Sequence, residues 1–296
     1  MNKPAETPDV TPLQKLWAAV MEILPHHLLS SLMYRVARVE VPFIKNTIIS
    51  QVVKHFDVDM SEAVIKDPLA YRSFNNFFTR KLETDARPIA AGENDIASPV
   101  DGEVSQSGAI DDGTLIQAKG RTYSLEALLG GDARMTSAFE NGHFSTIYLS
   151  PRDYHRIHMP VDGHLTRMTH VPGRLFSVSQ STTSAVHNLF ARNERVICQF
   201  ETDNGPMIMI LVGAIFVGSM ETVWSGLVTP AGQRVSSWDY GQQAAEQVFL
   251  RKGEEMGRFN MGSTVIVLLP PGAVAAMEHY DSGDTVVMGQ RLGRLR

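Results

Sequence analysis

The sequence predicts an α+β protein, with amphipathic N-terminal helices followed by a β-rich domain that is barrel- or sandwich-like and antiparallel or mixed. Two observations carry this. Apolar residues recur at three- and four-residue steps from Leu13 to Phe56, the period of a helix face. After about Pro88 they regroup into short runs bounded by Gly, Pro, Asn or Ser, as strands do. Hydrophobic residues make up 43% of the 296 and charged residues 20%, enough to build a large core.

Residues 1–12 are polar and proline-bearing and read as a loose tail. The first helical run carries Leu13, Leu16, Trp17, Val20 and Leu24 and stops at Pro25. The second carries Leu28, Leu29, Leu32, Met33 and Val36. Pro42 opens the third, with Ile44, Ile48, Val52 and Phe56. Lys15, Arg35, Arg38, Lys45 and Lys54 flank these faces, and Glu22 and Glu40 are the acids between 13 and 56. The region is locally basic in a chain of net charge −5. Such a face either packs on the core or lies in a lipid interface. In "AYRSFNNFFTRKL" (70–82) the phenylalanines read as core, and Arg80 and Lys81 as solvated charge.

From 89 onward the strand-length runs are "STIYLS", "RVICQFE", "PMIMILV", "AIFVGSM", "ETVWSGLV", "EQVFLRKG" and "TVIVLLP". The one helical pattern of note lies at 179–192. The run Asn204–Met220 is uncharged but short for a membrane span and broken by Gly213 and Gly218; it reads as two buried strands. No signal peptide is visible at the N-terminus. The single cysteine, Cys198, sits in an alternating apolar stretch and reads as a core residue. One cysteine excludes an intramolecular disulfide and fits a reducing compartment. The acidic balance argues against a nucleic-acid partner.

Three polar stretches interrupt the apolar pattern. Asp101-Gly102 in "SPVDGEV" (98–104) is a turn signal. "YLSPRDYHRIHMPVDG" (148–163) places Arg152, Asp153, His155, Arg156 and His158 within seven positions. His155 and His158 suit acid–base work, exposed loop positions, or metal ligation, the last without a nearby Cys or a familiar carboxylate spacing. Gly262-Ser263-Thr264 stands at the mouth of the most apolar C-terminal strand. A serine hydroxyl needs a base, and the base an orienting carboxylate; Asp101, His158 and Ser263 can supply that relay. The G-x-S-x-G elbow is absent. A second target for the hydroxyl is the Gly262 carbonyl directly before it. Attack there converts the peptide to an ester, and elimination cuts the chain into 1–262 and 263–296, leaving dehydroalanine in place of Ser263, which hydrolyses to a pyruvoyl group.

With "FNNFFTRKL", "SPVDGEV", "YLSPRDYHRIHMPVDG", "NERV", "VGAIFVGSM" and "KGEEMGRFNMGSTVIVLL" in order between about 74 and 269, the chain resembles the prokaryotic phosphatidylserine decarboxylases, which are pyruvoyl enzymes. Met261 stands where that family usually has Leu, a swap of similar volume. The resemblance implies that Asp101 and His158 serve Ser263 in self-cleavage, and that His155 lies near the substrate. It further implies a membrane-contacting segment at 13–88 and a catalytic domain at 89–296, cleaved between Gly262 and Ser263. The covalent pyruvoyl from Ser263 would form a Schiff base with phosphatidylserine, release CO2 and yield phosphatidylethanolamine. No metal is called for. Expected partners are phosphatidylserine in an anionic bilayer and the chain's own two fragments as a heterodimer, itself open to further dimerisation. The expected location is the cytoplasmic side of the cell membrane, attached peripherally. A serine hydrolase acting on a lipid ester and a non-catalytic lipid-surface module are the competing readings.

Overall fold

The computed structural model describes residues 11–118, 121–216, 219–241 and 247–296. The reading of a loose tail falls, for residues 1–10, outside them. Three helices open the described chain: α1 (Pro12–Ile23), α2 (His26–Ala37) and α3 (Pro42–Phe56). Pro25 separates the first two, and Pro42 starts the third, where a missing N–H costs nothing. A fourth, short helix, α4 (Phe74–Phe78), is capped by Ser73, whose hydroxyl accepts the Asn76 N–H.

The remainder is β-rich, and its strands pair antiparallel. The largest sheet has nine strands and its two end strands are not joined, so it is no closed barrel. At its centre, Thr264–Leu269 lies between Gly205–Val212 and His143–Tyr148, with Thr264 opposite both Val212 and Tyr148. Successive side chains of a strand point to opposite faces. Here Val265, Val267 and Leu269 enter one core with Met209 and Leu211, while Ile266 and Leu268 enter another with Ile208 and Ile210. Burial on both faces explains why these strands read as unbroken apolar runs. Cys198 lies in the first core, and burial pushes its thiol up.

A third core joins the helices to this sheet. Ile49 of α3 and Ala37 of α2 pack with Tyr71, Phe74, Phe77 and Phe78, and Met261 packs against the cluster. The residue preceding Gly262 is therefore held by the helical region.

The structure departs from the sequence reading in several places. In the run 204–220 only Gly205–Val212 is a long strand; the chain leaves the sheet at Gly213 and re-forms a short strand at Met220–Thr222. Asn193 fixes that departure by donating from Nδ2 to the Gly213 carbonyl at 2.8 Å. The helical pattern at 179–192 becomes two short helices, Gln180–Thr183 and Leu189–Arg192. Gln117 reaches in between, donating to the Thr183 and Val186 carbonyls and accepting the Leu189 N–H. The basic flank is only partly solvated: Lys45 is buried, with Nζ donating to the Leu69 carbonyl and to Asn46.

Candidate active site

Ser263 is fully buried at the edge of the central strand. Its carbonyl accepts the Leu149 N–H at 2.8 Å, and its hydroxyl donates to the Val212 carbonyl. Both neighbouring strands thus grip this one residue. Gly262 has no left-handed φ; its glycine serves proximity instead. A Cβ there would lie 3.2 Å from the Leu149 oxygen and 3.5 Å from His155 Nε2.

His155 is fully buried. Its Nδ1 faces the Asp153 carbonyl at 2.8 Å, which places the proton on Nδ1 and the lone pair on Nε2. Nε2 has no partner and points toward Gly262. The ring packs against Phe78, with centroids 3.9 Å apart and planes tilted by 41°. Burial, and then the Arg80 guanidinium, push His155 down to about 3, so it is neutral at physiological pH.

His158 is bound on both sides. Nδ1 faces the Gly253 carbonyl at 2.8 Å, and Nε2 meets the Tyr154 hydroxyl at 3.0 Å. Burial holds His158 below its ordinary value and pushes the Tyr154 hydroxyl up, so Tyr154 donates and His158 accepts. Asp101 is held by Arg87, whose Nη2 lies 2.6 Å from Oδ2, and by the Met288 N–H at 2.7 Å. Its charge acts on His158 through space, but the tautomer is set by Gly253. Asp101, His158 and Ser263 are not hydrogen-bonded to one another. Gly102 follows Asp101 because a Cβ there would collide with the Tyr148 carbonyl, and Tyr148 pairs with Thr264.

Sequence reasoning missed Arg80. It is 4% exposed, not solvated. Nη2 donates to the Arg152 carbonyl at 2.8 Å, the guanidinium lies over the Phe77 ring, and Nε and Nη1 have no partner. Arg152 and Asp153 lend adjacent carbonyls to Arg80 and His155, so one turn holds the cation beside the imidazole. The sequence signal was the run of three phenylalanines before it. Arg156, next to His155 in the chain, clamps α4 to the Glu255–Phe259 strand by donating to the Thr79 carbonyl and to Glu255.

An apolar cleft of about 240 Å³ opens at Gly262, walled by Phe56, Phe74, Phe78, Tyr148, Phe216 and Met261. Phe56 and Phe216 stand at the surface. Among the described residues no group of three or more His, Cys, Asp or Glu side chains could hold a metal ion, and no helix is long and apolar enough to cross a membrane.

The family model described as phosphatidylserine decarboxylase matches residues 74–294, and one described as PSD matches residues 16–57. The chain is 52% identical over 278 residues to the phosphatidylserine decarboxylase proenzyme of Bordetella pertussis, covering 94% of each. It is 49% identical over 280 residues to that of Stutzerimonas stutzeri, covering 95% of this chain and 94% of the relative. With that of Azotobacter vinelandii the identity is 48% over 280 residues, covering 95% and 98%. The match to this family model over 74–294, and to these relatives over nearly the whole chain, makes the protein a decarboxylase, a lyase. It belongs to the phosphatidylserine decarboxylase family.

Proposed function

We propose that the chain converts phosphatidylserine to phosphatidylethanolamine at a membrane surface, with a pyruvoyl group made from its own Ser263. The observation that carries this is the position of Gly262-Ser263: enclosed by two strands, faced by the lone pair of His155 and open to an apolar cleft.

In self-cleavage, Ser263 Oγ attacks the Gly262 carbonyl carbon and its proton passes to His158 Nε2. Both atoms are engaged elsewhere in the described chain, so Ser263 releases Val212 and His158 releases Tyr154 first. Asp101 steadies the imidazolium through space. The Ser263 nitrogen leaves the Gly262 carbonyl carbon and takes the proton from His158, giving an ester; loss of the Ser263 Cα proton then expels the Gly262 carboxylate and leaves dehydroalanine, which takes up water and releases ammonia to give the pyruvoyl group. Fragments 1–262 and 263–296 stay together because Thr264–Leu269 remains the centre of the sheet.

A pyruvoyl group at 263 fits this site. It keeps the carbonyl that Leu149 binds, and it replaces the serine amine and hydroxymethyl by a smaller ketone and methyl. It supplies an electron sink for the pair left when CO2 departs. The Leu149 N–H, which binds the 263 carbonyl oxygen, would stabilise negative charge there. His155 Nε2, whose lone pair faces Gly262, would take a proton from the substrate ammonium and return it to the substrate Cα once CO2 has left. Phe78 and Met261 exclude water from that position.

The lipid enters along the cleft, whose outer wall is Phe56 at the end of α3. Ile23 and Phe43, 83% and 82% exposed, give the helices apolar contacts for the bilayer. We place the two-chain unit peripherally on the cytoplasmic side of the cell membrane.

The test is Ser263→Ala in the full chain. That variant stays as one chain on a denaturing gel and releases no CO2 from phosphatidylserine vesicles, whereas the parent shows two fragments, the smaller with a pyruvoyl mass. A working parent that is uncut and carries serine at 263 overturns the proposal.

A further inference from the structure

A second cavity, of about 250 Å³, lies between α2 and the connecting segments that carry Leu175, Glu194 and Pro230, and shares no lining residue with the cleft at Gly262. Its chemistry is graded with depth. Glu194 in its wall is 7% exposed and gives Oε1 to His170 Nε2 at 3.0 Å. Ser30, also lining it, is 5% exposed, and its hydroxyl has no partner. Behind the wall, His170 Nδ1, on the ring that Glu194 holds, lacks a partner too. Buried polar atoms are ordinarily satisfied, so this concentration marks a place built for a polar guest. At the rim stand Arg35 and His27, both exposed, and Arg35 has no ion-pair partner among the described residues. The next stripe of α2 carries Leu28 and Leu32, exposed and apolar.

A carboxylate within, a guanidinium at the mouth and an apolar stripe beside it fit one order of groups: ammonium first, phosphate second, acyl chains last. We propose that this cavity binds the phosphoethanolamine headgroup of a phospholipid, as a second lipid site apart from the active site. Phosphoserine carries an added carboxylate that meets Glu194 with like charge, and choline has no N–H to give Glu194 or Ser30; both are disfavoured by what they leave unpaired. That this headgroup is the enzyme's product rests on the decarboxylase reading; the binding itself does not. Joined, the two make a site that senses product in the bilayer where it is made.

The experiment uses the full-length Ser263→Ala protein, so that no chemistry occurs at Gly262, with O-phosphoethanolamine as probe and phosphocholine and O-phosphoserine as comparators. Binding is read by ligand-detected NMR and calorimetry. O-phosphoethanolamine binds about tenfold or more tightly than either comparator. Glu194→Gln and, separately, Ser31→Trp, an exposed rim residue whose replacement blocks the mouth, each weaken it about tenfold. No binding, meaning a cavity that holds only water, overturns the proposal. So do equal affinities for the three probes, or binding that Ser31→Trp leaves intact, which would place the probe in the cleft. If Glu194→Gln fails to fold, the Ser31→Trp result decides alone. The decarboxylase reading is tested apart, by CO2 release from the parent protein.

Discussion

Gly262→Ala separates the geometry of cleavage from the stability of the fold. The added methyl would sit 3.2 Å from the Leu149 carbonyl oxygen and 3.5 Å from His155 Nε2. That oxygen cannot retreat freely, because the Leu149 N–H is bonded to the Ser263 carbonyl at 2.8 Å. The backbone at 262 lies outside the left-handed region, so alanine brings crowding but no conformational strain. Crowding of this size costs about 1–3 kcal/mol, offset by about 0.4–1 kcal/mol from the stiffer unfolded chain. The net loss is about 1 kcal/mol, or about 2–4 °C in Tm for a domain this large. Cleavage is far less tolerant, since a misplacement of about 1 Å at reacting atoms costs about 100-fold. A shift of a few tenths therefore slows self-cleavage by about fourfold, and the methyl also intrudes on the His155 lone pair. The assay follows newly made protein on a denaturing gel, with a thermal melt of the same sample. Cleavage at the parent rate with an unchanged melt would refute the reasoning. Gly102→Ala is the control in the other direction: its methyl collides with the Tyr148 carbonyl, so the strand pairing itself should fail and the melt collapse.

Other consequences are open to measurement. Tyr154→Phe frees His158 Nε2 from its donor, so self-cleavage proceeds at the parent rate or faster, while His158→Ala leaves the chain uncut; slower cutting in Tyr154→Phe would make the hydroxyl part of the relay. His155 is pushed down from 6.5 to about 3 in the folded chain, so the unfolded chain takes up its proton first as pH falls. Stability is full above pH 6.5 and drains away toward 3, by about 2 kcal/mol at pH 5. Thermal melts between pH 7 and 5 should show this slope, and His155→Gln should be shallower by one proton's worth; equal slopes would exclude His155 as the source. Ile23→Glu with Phe43→Glu removes two exposed apolar contacts worth about 1.5–3 kcal/mol each when buried. Flotation with anionic vesicles should then weaken by at least about 100-fold, and undiminished flotation would move the membrane contact elsewhere.

What could be read in advance, and what could not, follows from where the partners of each residue lie. Thr264–Leu269 and Gly205–Val212 were legible because burial on both faces leaves an unbroken apolar run, a signal contained in the strand itself. His155 and Ser263 were legible as chemistry, being reactive residue types set against apolar sequence. Their partners were not. Gly253, which fixes the His158 tautomer, lies 95 residues away, and Met288, which helps hold Asp101, lies 187 away. Arg80 shows the limit most plainly. Beside Lys81 it reads as one of two solvated charges, yet Lys81 is exposed and Arg80 is enclosed. The difference arises from the Phe77 ring beneath it and the Arg152 carbonyl ahead of it, which only the folded loop brings together. A buried cation with two unpaired donors is costly, and here it stands beside the histidine it helps hold neutral. The fold thus accepts a local penalty at the place where it holds an imidazole neutral, and such a place is invisible to any reading that scores residues by local preference alone.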